Sequence, residues 1–159
     1  MNWEDKPQVK KGDIGENIII NFLENKGFII YKPITKAAHW IDIIATKNKN
    51  EIYAIDVKTK ARMNHYAATG IDVKHYEDYK RFQKICNINV YLFFVDDKNG
   101  EIHCADLNKL SDGFHMLTAK NEKIILWYLE EMELVHTLTK DEIELLSKYD
   151  TRNYEYKPI

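Results

Sequence analysis

The chain has 159 residues, enough for one compact domain with a real core and too few for two domains of ordinary size. Its 45% hydrophobic and 30% charged residues are those of a soluble globular protein, and no apolar run approaches the roughly 18 residues that span a membrane. The net charge of −2 argues against a protein that grips nucleic acid over its whole surface, but the charge is uneven. Lys58 to Lys84 holds seven Lys/Arg against three Asp/Glu, whereas Glu130 to Asp150 holds seven acids against two lysines, so a polyanion could be met by one face only.

The opening MNWEDKPQVKKGD has neither the apolar core of a secretory signal nor the acid-poor character of a transit peptide, and an intracellular, cytoplasmic location is expected. Ile14, Ile18, Ile19, Phe22 and Leu23 recur with helical spacing, and Gly27 is a stop signal, which predicts a first helix. FIIYKP reads as a short strand ended by Pro33. HWIDIIATK and EIYAIDVK are β-branched, apolar runs on either side of the turn-like NKN and predict a hairpin.

His65, Tyr66 and the small-residue stretch AATG read as a loop, either plain connection or a lip over a substrate. From Gly70 onward Val73, Tyr76, Tyr79, Phe82 and Cys86 mark one face of an amphipathic helix, with Glu77 placed to pair with Lys80 and Arg81 on the other. Cys86 and Cys104 have no further ligand at metal spacing and read as reduced, buried thiols. VYLFFV predicts a strand covered on both faces, and DDKNG turns the chain into EIHCA. Beyond Leu110, KIILWYL and ELVHTL look like strands, and TKDEIELLSKY like a helix opened by a capping box of Thr139 and Glu142. The order describes an α/β protein with a mixed sheet flanked by helices, a single domain over 1–159 with its core at about 10–110 and a C-terminal extension at 111–159.

The pattern acid-x-Lys occurs seven times, so it carries little information alone. Only Asp56 lies within an apolar strand whose hairpin partner also carries an acid, Asp42 in HWIDIIA. A buried ionised carboxylate is costly unless paired or bound to metal. A three-residue loop at Asn48 to Asn50 places Asp42 directly opposite Asp56, with Cβ atoms about 5 Å apart; a two-residue loop would put them on opposite faces. Two anions at that separation require a shared proton or a cation between them, and a hard ion such as Mg²⁺ or Mn²⁺ suits oxygen ligands. Strand alternation puts Lys58 on the same face, and Lys60 and Arg62 follow if the strand continues, a row of cations facing a phosphate backbone. The other copy of Ile-Asp-Val-Lys, with Asp72 and Lys74, falls at the start of a helix, where Asp72 can cap free amides.

The succession KKGDIGENIIINFLENKGFIIYKP, IDIIA and IYAIDVKTK resembles the PD-(D/E)xK nuclease superfamily, and especially its archaeal-type Holliday-junction resolvases. The likeness covers roughly Lys10 to Lys60 and fades by Leu110; Ile41 stands where the motif's proline would be, and Asp56 where many members carry Glu. The resemblance implies a restriction-endonuclease-like fold, DNA as partner, a homodimer, and a divalent-metal site built from Glu16, Asp42 and Asp56, with Lys58 beside the attacking water. Lys60, Arg62 and Tyr66 are the expected DNA contacts. Glu16 also stands three residues after Asp13, a spacing that suits helix capping. The expected activity is metal-dependent DNA endonuclease on branched DNA. Cutting of linear DNA, a module that binds without cutting, and a purely structural cation site are the alternatives.

Overall fold

The computed structural model describes residues 2–34 and 39–149 and the backbone of 156–158. Helix α1 spans Pro7–Asn25. It begins earlier than the apolar periodicity predicts because Pro7 stands in its first turn, where a missing amide hydrogen is no loss. It ends where Gly27 adopts φ +85°, a left-handed conformation that glycine takes without a Cβ penalty.

Strands β1 (Ile29–Tyr31), β2 (Ile43–Asn48) and β3 (Glu51–Thr59) follow as an antiparallel meander. Then come β4 (Ala68–Asp72) and helix α2 (Val73–Cys86), and the chain returns through β5 (Val90–Asp96) parallel to β3. Next in order are β6 (Glu101–Asp106), β7 (Phe114–Thr118), β8 (Lys123–Tyr128), β9 (Glu133–Thr137), α3 (Lys140–Ser147) and β10 (Tyr156–Pro158). Six strands form one mixed sheet in the order β1-β2-β3-β5-β6-β9, and four form a second in the order β10-β7-β8-β4.

The central strand β5 is apolar from Val90 to Val95 because both its faces are covered. On one face Phe93 and Val95 pack with Ile18, Ile19 and Leu23 of α1 and Leu146 of α3. On the other, Leu92 and Phe94 pack with Tyr79 of α2 and with Ile71, Ile125 and Trp127 of the second sheet. A buried ion pair, Lys11 to Asp97 at 2.7 Å, ties α1 to the end of β5. The capping box of Thr139 and Glu142 opens α3 as its sequence predicts.

Several expectations are corrected. AATG is not a loop: Ala68 to Gly70 belong to β4, where Gly70 faces the β8 backbone so closely that a Cβ would lie 1.9 Å from the Ile125 carbonyl. Within 111–149, β9 extends the first sheet alongside β6, and β7 and β8 pair in the second. Asp72 stands at the N-cap of α2 but its side chain makes no capping hydrogen bond. Cys86 is exposed and Cys104 half-buried, and both are free. No helix of the described residues is long and apolar enough to cross a membrane.

Candidate active site

Ile43 pairs with Ile55, which puts Asp42 opposite Asp56 at the end of the β2–β3 hairpin. The register is the one a three-residue loop implies, but it arises otherwise. Asn48 pairs with Glu51, leaving a two-residue turn that by itself would send the acids to opposite faces. An irregularity between Thr46 and Asn48 leaves Lys47 unpaired and shifts the ladder back by one residue. Asp42 then bends out of the ladder: its amide donates to the Ile55 carbonyl at 3.0 Å, while its carboxylate accepts the Val57 amide at 2.8 Å.

Asp56 is 3% exposed. The Lys58 ammonium sits 2.9 Å from its Oδ1 and 2.8 Å from its Oδ2, yet only Oδ1 receives a well-aligned hydrogen bond. The buried Oδ2 has no properly oriented donor. Tyr79, 2% exposed, comes up from α2 beneath the pair, with its ring 5.8 Å from the Lys58 ammonium and stacked at 6.2 Å on His75. His39 lies 3.8 Å from Asp42 Oδ1. Together with Trp40, and with Lys74 and Asp78 of α2, these groups line a cleft of about 350 Å³.

The electrostatics follow from this crowding. Burial, then the Asp56 charge, pushes the Asp42 carboxyl up to about 7 against the opposing pull of the Val57 amide and Lys58. Burial acts to lower Lys58, but the Asp56 charge and hydrogen bond, helped by Asp42, outweigh it and hold the ammonium above its ordinary value. Burial first, and the neighbouring Asp56 second, raises the Tyr79 phenol. Lys60 is pulled down to about 8 by burial and by Lys58.

Asp42, Asp56 and Lys58 are thus brought together. Glu16 is brought near but not in. Gly15 lets α1 press onto β3, and the charge of Glu16 is felt at Asp42. Its carboxylate is nevertheless paired to Lys32 at 2.9 Å, and among the described residues no three Asp, Glu, His or Cys side chains converge as a metal cage. The row of cations also breaks, because β3 ends at Thr59. Arg62 turns to an internal ion pair with Asp96 and Glu101. Lys60 is half-buried and has no side-chain partner among the described residues. Tyr66 is exposed, meets Phe114 edge-on at 6.3 Å, and does not line the cleft.

Of the residues that line the cleft, sequence reasoning missed His39, Trp40, Lys74, His75, Asp78 and Tyr79. Tyr79 reads as core packing, and it is core, but a buried phenol needs a polar partner and that need pointed to a nearby acid. Trp40, in the HWIDIIA run, is 37% exposed and lies against Arg81 at 5.7 Å. Glu77 makes no ion pair with Lys80 or Arg81 among the described residues; Lys80 reaches Asn108 at 3.4 Å instead.

No protein-family model and no curated protein matches the chain. Among solved structures it is similar to Archaeoglobus fulgidus Hjc, a Holliday junction resolvase from an archaeal hyperthermophile, with 15% identity and a TM-score of 0.57 over 79% of this chain and 92% of that one. The likeness is one of fold, and the mixed six-stranded sheet flanked by helices is the fold of that resolvase.

Proposed function

We propose that the protein is a divalent-metal-dependent DNA endonuclease that acts on branched DNA as a homodimer making paired cuts. The observation that carries the reading is the meeting of Asp42 and Asp56 across the hairpin, with Lys58 on Asp56, in one cleft. The Asp42 carboxyl, held near 7 by burial and by the Asp56 charge across the hairpin, fits an acid pair completed by a cation. Asp42 and Asp56 would hold Mg²⁺ or Mn²⁺, hard ions that favour carboxylate oxygen. Bound there, such an ion supplies polarisation of the phosphate and a more acidic water.

The chain's own groups do the rest. Lys58, fixed by Asp56 and backed by Tyr79, keeps an ammonium at the reacting face, where it orients the attacking water or offsets charge growing on the phosphate. Glu16 orients groups beside Asp42, and Lys60 offers a phosphate a cation with no internal partner to give up. The preference for branched DNA is supported by the likeness to a junction resolvase.

The test compares wild type with Asp56→Ala, matched for folding by circular dichroism, on labelled four-way-junction and linear duplex DNA with Mg²⁺ or Mn²⁺. Junction cleavage that vanishes in the variant and with EDTA is the expected result; cutting of the linear duplex alone moves the reading to a restriction or exonuclease-type enzyme. The Glu16–Lys32 ion pair favours a second reading, a module of this fold that binds without cutting. It predicts junction affinity in wild type and Asp56→Ala alike, with no product.

A further inference from the structure

We propose that Trp40 is a stacking platform for one unpaired base beside the phosphodiester held at Asp42 and Asp56, so that the cleft selects DNA with a displaced nucleotide over continuous duplex. The inference rests on the nuclease reading and adds the substrate feature that the site selects.

Position comes first. Trp40 stands two residues before Asp42 and lines the same cleft. Ile41 between them is 3% exposed and anchors the bend, while Trp40 turns outward. A tryptophan recruited for packing is buried as Trp127 is, wholly shielded in the core; Trp40 keeps more than a third of its surface in solvent.

Its partner comes next. The Arg81 guanidinium of α2 lies over the Trp40 ring at 5.7 Å, and with that cation in place Trp40 still keeps 37% of its surface in solvent, room for a second flat group. Stacking on such a ring is tolerant of base identity, because every base has a π-face, but it demands that the base be out of a duplex stack.

Size and charge narrow the occupant. A cleft of about 350 Å³ is near the lower end of the roughly 300–1,000 Å³ range of small-ligand sites, which suits one nucleotide and not a double helix. Lys58 at its base and Lys74 and Arg81 on the α2 side can meet the flanking phosphates, while Asp78 on the same wall is suited to accept from a base edge rather than to face phosphate.

The experiment measures binding apart from catalysis. Two labelled duplexes, identical except that one carries a single unpaired nucleotide, are titrated without divalent metal into the full chain and into Trp40→Ala and Trp40→Phe, with anisotropy as the readout. Wild type is expected to prefer the duplex with the unpaired nucleotide. Trp40→Ala should lose that preference through weakening of roughly tenfold or more on that duplex alone, and Trp40→Phe should keep most of it. If Trp40→Ala does not unfold cooperatively, Trp40→Leu, which keeps bulk without a π-face, carries the test. Equal weakening on both duplexes, or none on either, overturns the role of Trp40 and leaves the nuclease reading standing. A wild type that binds both duplexes alike, or neither, overturns the role of Trp40, while junction cleavage with metal tests the nuclease reading apart from it.

Discussion

Gly15 of α1 and Thr59 of β3 lie against each other so closely that a Cβ on residue 15 would sit 1.8 Å from Thr59 Oγ1. This contact sets the height of the helix above the strand that carries Asp56 and Lys58, and it fixes how near the next residue, Glu16, comes to Asp42. Gly15→Ala gains intrinsic helix propensity but must push the helix off the strand, so it should destabilise the protein by about 1–3 kcal/mol in urea unfolding. Thr59→Gly in the same chain should restore part of the loss by opening the space. Two single variants whose costs simply add would show that the contact does not limit the approach.

Arg62 and Lys60, two residues apart, should respond in opposite ways to removal. Asp96 is buried and accepts from Arg62, Asn99 and backbone amides, so Arg62→Ala strips a charged partner from a buried carboxylate. The expected cost is about 2–3 kcal/mol, toward the low side for breaking a buried pair because Arg62 keeps some solvent contact. Lys60→Met keeps the aliphatic stem and removes an unpaired ammonium. The folded-state value of Lys60 lies below its unfolded one, so the folded chain binds fewer protons than the unfolded chain between about 8 and 10.5, and wild type is penalised below that window. Lys60→Met should therefore be as stable as wild type or more so at pH 7, with the advantage fading by pH 10.5, while its DNA affinity falls and its salt dependence flattens by about one charge. Loss of stability in Lys60→Met without change in DNA affinity would assign Lys60 to the scaffold.

The catalytic assignments rank by contact. Asp56→Asn retains the shape of a side chain that is almost wholly buried but removes the charge facing Lys58, and junction cleavage should fall below detection. Lys58→Ala should lower kcat by roughly 10²–10³, the size found when one preorganised charge-stabilising donor is removed, with little change in KM. Glu16→Gln should cost less than either, because its carboxylate is already shared with Lys32. Equal losses for all three would place Glu16 among the reacting groups. The measurement is steady-state cleavage of a four-way junction over a range of substrate concentrations with metal in excess.

The parts legible in the sequence were those set by local pattern. Ile14 to Leu23 gave the helix, VYLFFV the doubly covered strand, and Thr139 with Glu142 the start of the last helix. The facing of Asp42 and Asp56 was legible only as a conditional on loop length, because a bulge at Lys47 compensates a turn that is one residue shorter. The second sheet was not legible. AATG looks like a loop because alanine and glycine have low strand propensity, and its strand character comes from pairing with Ile124 to Tyr128, more than fifty residues away. Arg62 looked available for DNA because its partners, Asp96 and Glu101, are joined to it only through the β5–β6 hairpin.

Asp42 should give the protein a pH dependence that a divalent cation removes. Its folded-state value of about 7 lies above the ordinary 3.8, so between those limits the folded chain binds more protons than the unfolded one. Stability contributed by the protonated carboxyl is complete below about pH 4 and is lost as pH rises through 7. In EDTA, the Asp42 contribution to the melting temperature should therefore fall from pH 5 to pH 8. Asp42→Asn, which keeps the neutral shape at every pH, should flatten that fall and exceed wild type at pH 8. Added Mg²⁺ or Mn²⁺ should raise wild-type stability most at pH 8, where the carboxylate no longer has to shed a proton to bind, and leave Asp42→Asn nearly unmoved. A wild type whose metal-dependent gain is the same at pH 5 and pH 8 would remove Asp42 from the set of groups that hold the ion.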